Sequence, residues 1–74
     1  MKREPVSSSN LKSIGFEPQD RVLEVEFQNG AIYQYFGVPF FVYTSLLSTA
    51  SPGTYFNTFV RDEGYHYERV DVDK

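Results

Sequence analysis

Seventy-four residues with a formal charge of −3 make one small acidic domain, without the clustered basic charge that phosphate backbones attract. Seven Phe and six Tyr bring the aromatic share to 18%, at a length where only about 60% of the unfolded surface can be buried. The absence of cysteine excludes a disulfide framework and a thiolate metal site, and the longest apolar stretch, residues 36–43, is interrupted by Gly37 and Pro39.

Residues 1–9 read as a disordered segment: charges, then Pro5, then the serine run Ser7-Ser8-Ser9. Serines where a secretory signal would carry its apolar region point to a cytoplasmic protein. The structured domain is expected over residues 10–70, with 71–74 a disordered acidic tail. Leu11 to Phe16 suits a first strand, and Glu17-Pro18-Gln19-Asp20 a turn with proline at its second position. From Arg21 to Phe27 apolar and acidic residues alternate, the period of a half-buried strand.

Asn29-Gly30 lies between two such runs. A two-residue type I′ turn there pairs Phe27 with Ile32, Glu26 with Tyr33, Val25 with Gln34, Glu24 with Tyr35 and Leu23 with Phe36. In that register Leu23, Val25, Phe27, Ile32 and Phe36 share the core face. Tyr33 and Tyr35 share the other with Glu24 and Glu26. A slip of one residue exchanges the faces and buries both glutamates.

Pro39 suits the first turn of a helix whose apolar stripe is Phe40, Tyr43, Leu47 and Ala50. Ser51 as N-cap and Pro52 at the first position start a second helix, with Phe56, Phe59 and Val60 on its apolar face and Gly64 as its stop. Residues 65–70 read equally as a last short strand or as a packed tail. The expected architecture is α+β: a three- or four-stranded antiparallel meander with two short C-terminal helices packed on it.

In this order, Ser8-Ser9-Asn10-Leu11, Ile14-Gly15-Phe16, Leu23 to Phe27, Gly30 with Tyr33 and Tyr35, Val38, Ala50-Ser51 with Gly53, and Tyr55-Phe56 follow a pattern that resembles the KTSC domain. The likeness covers roughly residues 6–65. The family takes its name from a C-terminal extension of some lysyl-tRNA synthetases and also occurs as free-standing bacterial proteins. The resemblance implies an accessory module, for which attachment to a synthetase suggests RNA binding. Its central Tyr-x-Tyr falls on Tyr33 and Tyr35, and its Ser-x-Gly step on Ser51 and Gly53.

No catalytic constellation emerges. His66 is the single histidine, and a triad with Ser51 or Ser45 weighs little against a solvated tail residue. Glu24 and Glu26 would stand about 6–7 Å apart on one strand face, a spacing that serves paired-carboxylate chemistry but also marks any exposed strand. They offer too few converging oxygens for a hard cation, and neither metal nor cofactor is expected. Ser7 to Asn10 could hold an anion or simply bond locally. Ser51 and Gly53, at a helix N-terminus, could also favour an anion, although a capping serine would already satisfy those donors.

Tyr33 and Tyr35 carry the functional expectation in three forms. They are buried under a helix or the tail; or, with Glu24 and Glu26, they form a protein-contact or self-association face; or, with Lys12, Arg21 and Arg61, they stack RNA bases. The acidic balance favours a non-enzymatic protein-binding module, with RNA as the alternative and no role for a membrane.

Overall fold

The computed structural model describes residues 1–70; the acidic tail expected at 71–74 lies outside the described residues. Among the described residues, five strands form one antiparallel sheet in sequence order: β1 (Glu4–Pro5), β2 (Leu11–Glu17), β3 (Val22–Phe27), β4 (Ile32–Phe36) and β5 (Tyr67–Val70). Helices α1 (Phe40–Ser48) and α2 (Pro52–Phe59), with a 3-10 turn at Arg61–Glu63, lie between β4 and β5. The α+β antiparallel meander is therefore as expected, but among the described residues it has five strands rather than three or four, because Glu4–Pro5 add β1 at one edge and Tyr67–Val70 add β5 at the other. No helix among the described residues is long and apolar enough to cross a membrane.

The hairpin between β3 and β4 departs from the expected register by one residue, and the departure decides the chemistry of both faces. Phe27 N–H bonds Ala31 C=O at 2.8 Å and Gly30 N–H bonds Phe27 C=O at 2.9 Å, closing a three-residue loop. Gly30 has φ +92°, whereas Asn29 stays out of the left-handed region that a type I′ turn requires. Instead Asn29 Oδ1 accepts from Ala31 N–H at 3.0 Å. The added loop residue pairs Leu23 with Tyr35, Val25 with Tyr33 and Glu26 with Ile32. Tyr33 and Tyr35 thus share the core face with Leu23 and Val25, while Ile32 and Phe36 pass to the side of Glu24 and Glu26.

The core gathers on that first face: Leu11, Ile14, Leu23, Val25 and Tyr35 from the sheet against Val42, Leu46, Phe56 and Val60. Helix α1 buries Val42 and Leu46 rather than the expected stripe, and leaves Phe40 and Leu47 exposed. Apolar residues occupy so many positions of Phe40–Leu47 that periodicity alone does not choose a face; the i, i+4 pair at Val42 and Leu46 meets the sheet. The helix ends at Ser48, because Thr49 is extended with ψ 148°. Helix α2 starts as expected, with Ser51 as N-cap and Pro52 next. It ends at Phe59; Gly64, left-handed at φ +83°, follows the 3-10 turn instead.

Across the sheet, residues 1–9 are not the disordered lead-in expected. Strand β1 pairs Glu4 with Ile14 and Pro5 with Ser13. Met1 to Arg3 run so close over Gly15 that a Cβ there would stand 2.6 Å from Lys2 O. Arg3 reaches the Glu24 carboxylate, and its Nε donates to Ser13 Oγ at 3.2 Å. Ser13 Oγ in turn donates to Glu26 Oε1 at 2.8 Å, and Gln34 Nε2 to Glu24 Oε1 at 2.8 Å. Glu24, only 7% exposed, is a buried, fully partnered carboxylate rather than a contact residue open to solvent.

Candidate functional site

Two clefts open side by side at one end of the sheet, sharing Asn10 and Asn57. The larger, about 460 Å³, is polar and runs between residues 7–10 and the start of α2, so it contains both Ser51 and Gly53. Ser8 Oγ accepts from Leu11 N–H at 3.2 Å and from Asn10 N–H at 3.3 Å, and donates to Asn10 Oδ1 at 2.9 Å. That is the local serine turn expected of the lead-in. Gly53 permits the close approach, since a Cβ there would lie 2.6 Å from Asn10 Oδ1. Ser51 caps α2 through backbone geometry alone, with no side-chain hydrogen bond, contrary to the capping serine expected.

The smaller cleft, about 370 Å³, is aromatic, with Tyr33, Tyr35 and Tyr67 on its sheet side, Phe27 and Phe56 at its base and Arg61 beside them. It is the stronger candidate because charge, hydroxyls and aromatic surface converge there. Strand pairing puts Tyr35 opposite Tyr67, and the three tyrosine rings stand 5.5–6.5 Å apart, centroid to centroid. Phe56 meets Phe27 and Tyr35 edge-on, each at 5.5 Å, which fixes the floor in a favourable aromatic geometry. Tyr35 is 7% exposed, Tyr33 half-buried and Tyr67 57% exposed, so the rings step from core to solvent.

Burial is the first cause that pushes the Tyr35 hydroxyl up to about 12; Tyr33 and Tyr67 push the same way and Arg61 opposes them. The group is therefore a neutral donor at physiological pH. Arg61 Nε lies 3.5 Å from Asp62 Oδ1, with both side chains more than 60% exposed, a contact that solvent screens.

Of the residues singled out in the sequence, Tyr33, Tyr35 and Arg61 come together here. Glu24 and Glu26 do not: they lie on the other face under Arg3. Lys12 sits at the irregularity in β2, between Leu11 and Ser13, and points to solvent. Arg21 adopts φ +56° in the β2–β3 turn, where its carbonyl accepts from Gly37 and Val38 N–H. Neither lines the aromatic cleft. His66 stands 3.2 Å from Glu68 Oε2 at the exposed edge. Sequence reasoning missed Tyr67, whose placement follows only once β5 is known to pair with β4. It also missed Phe27 and Phe56 as the floor, and Asn10 and Asn57 as the wall between the clefts.

A family model of the KTSC domain matches residues 7–67, and the chain belongs to that family. It is 44% identical to an uncharacterized protein of Stutzerimonas stutzeri over 96% of this chain and all of that one. A lysine--tRNA ligase of a Nostoc species is 37% identical over 84% of this chain, which corresponds to 11% of the ligase. The crystal structure of a KTSC domain protein from Yersinia pestis superimposes with a TM-score of 0.86 at 35% identity, covering 95% of this chain and 97% of that one.

Proposed function

We propose that this KTSC domain is a non-catalytic, cytoplasmic protein-binding module whose contact site is the aromatic cleft. One observation carries the reading: Tyr33, Tyr35 and Tyr67 converge with Arg61 on a single concave surface, and tyrosine and arginine are the residues that anchor protein interfaces. Tyr35, already packed on Phe56, loses little further freedom on binding. The test compares the wild-type domain with Tyr67→Ala and Arg61→Ala as baits in cross-linked pull-downs, with folding of each variant checked by its amide spectrum. A partner kept by the wild type and lost by both folded variants supports the reading. Equal retention by all three overturns it.

A second reading, RNA binding, draws on the lysine--tRNA ligase from Nostoc that shares this region. Stacked tyrosines suit it, yet Lys12 and Arg21 lie outside the cleft and the net charge is −3. A ¹H–¹⁵N spectrum titrated with tRNA at low and physiological salt decides between the two. Saturable, salt-sensitive shifts on Tyr33 and Tyr67 would favour RNA, and an unmoved spectrum retires it.

A further inference from the structure

We infer that the cleft takes its partner as an extended, acidic peptide segment added as a sixth strand along the outer edge of β5. The inference rests on the cleft being the contact site and specifies how it is used. Strand β5 is the last in the sheet, and among the described residues nothing pairs with its outer side. The opposite edge, β1, is two residues long and ends in Pro5, which blunts it against pairing. Among the described residues, β5 therefore offers the longer run of free edge backbone, since β1 already covers Ser13 and Ile14 of β2.

The hydrogen-bond phase of that edge is fixed. Phe36 N–H donates to His66 C=O at 2.9 Å, which makes Phe36 and His66 a bonded antiparallel pair. Bonded and non-bonded pairs alternate, so Glu68 and Val70 also turn their backbone groups inward to β4, while Tyr67 and Arg69 turn theirs outward. These same two residues stand opposite Tyr35 and Tyr33 and share the cleft face. A strand bonded to Tyr67 and Arg69 thus lays alternate side chains on that face, one beside Tyr67 and the next beside Arg69.

Charge selects the occupant. Arg69 at the edge and Arg61 in the cleft both present guanidinium groups, beside hydroxyls of Tyr33 and Tyr67 that donate to no described residue. An aromatic or aliphatic residue followed two positions on by Asp or Glu matches this surface. A second copy of the chain matches it poorly. Antiparallel registers that keep the sheet continuous and overlap most of β5 set Glu68 against Glu68 or Arg69 against Arg69, and like charges directly opposite are unfavourable.

The test selects displayed random linear nonapeptides on the intact domain and carries the strongest, as a synthetic peptide, into amide exchange and affinity measurements. The expected peptides place Asp or Glu two residues from an apolar residue. Bound, they slow exchange of the Tyr67 and Arg69 amides specifically. Arg69→Pro, which deletes one outward donor on an edge where proline is tolerated, should lose about tenfold in affinity, and Arg69→Ala about threefold. The exchange readout needs no variant, so misfolding of Arg69→Pro leaves the test intact. Peptides that shift Tyr33 and Tyr67 and need Tyr67, but leave the edge amides exchanging freely, overturn the strand addition and keep the cleft. Selected peptides that touch neither, or an empty selection, overturn both. Protection of the same amides on self-association, without peptide, assigns the edge to a second copy and overturns the acidic partner.

Discussion

The two faces of the sheet solve the same burial problem with opposite chemistry. On one, Leu23, Val25, Tyr33 and Tyr35 pack under α2, and aromatic rings meet edge-on around Phe56. On the other, Glu24 and Ser13 are buried beneath the N-terminal segment and are held by Arg3 and Gln34. The first face is stabilised by apolar area, which tolerates no hole. The second depends on every polar group having a partner, because an orphaned buried carboxylate costs more than its bonds contribute. The first face ends in a cleft, because its aromatic row continues past the helix to Tyr67.

The comparison breaks hardest at Phe56, which is 2% exposed and supports both Phe27 and Tyr35. Phe56→Ala should cost about 3–5 kcal/mol, most of what a domain of this size has. Urea unfolding of the variant checks this; a loss below about 1 kcal/mol would mean that the cleft floor is not core. The opposite face should break less severely. Arg3→Ala strips Glu24 of its cationic partner, and Arg3 is itself 27% exposed, so about 2–3 kcal/mol is expected after discounting for solvent. Adding Glu24→Gln to Arg3→Ala should recover part of that loss, since a neutral amide at that position no longer buries a charge. If the double variant is no better than the single, charge burial is not what Arg3 relieves.

A smaller effect tests the device that assigns residues to faces. Gly30 holds φ +92° in the hairpin loop with no atom near its missing Cβ, so Gly30→Ala introduces conformational strain alone, about 1 kcal/mol. A shift in the unfolding midpoint with an unchanged sheet pattern is the expected result. Loss of the Val25–Tyr33 pairing, seen in amide cross-peaks, would show that the loop and not the core sets the register.

These faces were legible in the sequence only in part. Alternation in Val22 to Phe27 located β3 and its inward residues, and Ser51-Pro52 located the start of α2. Asn29-Gly30 located the hairpin but not its loop length, and one residue there exchanges every side chain of β4. A slip of one residue from the expected register reads as unfavourable because it buries two glutamates. It does bury Glu24, and the partner that makes burial tolerable is Arg3, in a segment whose composition reads as disordered. Arg3 and Glu24 lie 21 positions apart, beyond any local pattern. The site was legible as a residue pair, Tyr33 and Tyr35, but not as a cleft, because Tyr67 joins it by strand pairing and Phe56 by helix packing. The same correction changes what a mutation can test. Replacing both Tyr33 and Tyr35 would damage the core along with the site, so Tyr67 and Arg61 are the residues that separate binding from folding.

The gentlest test leaves every ring in place and titrates the cleft face. Tyr35 carries its hydroxyl proton up to about pH 12 in the fold, against its ordinary value of 10.0, chiefly because of burial. Between those values the unfolded chain has released that proton and the folded chain has not, so the unfolded state binds fewer protons and stability must fall as pH rises. The contribution is complete below about pH 10 and is lost on approaching 12. Tyr35→Phe keeps the ring and removes the titrating group, and should flatten the fall in unfolding midpoint between pH 9 and about 11.5 while changing little at pH 7. A remaining slope is expected from Tyr65, whose hydroxyl is also raised by burial and by Glu63. Parallel pH profiles for wild type and Tyr35→Phe would mean that the hydroxyl is open to water, and that the cleft is wetter at its base than the packing of Tyr35 on Phe56 implies.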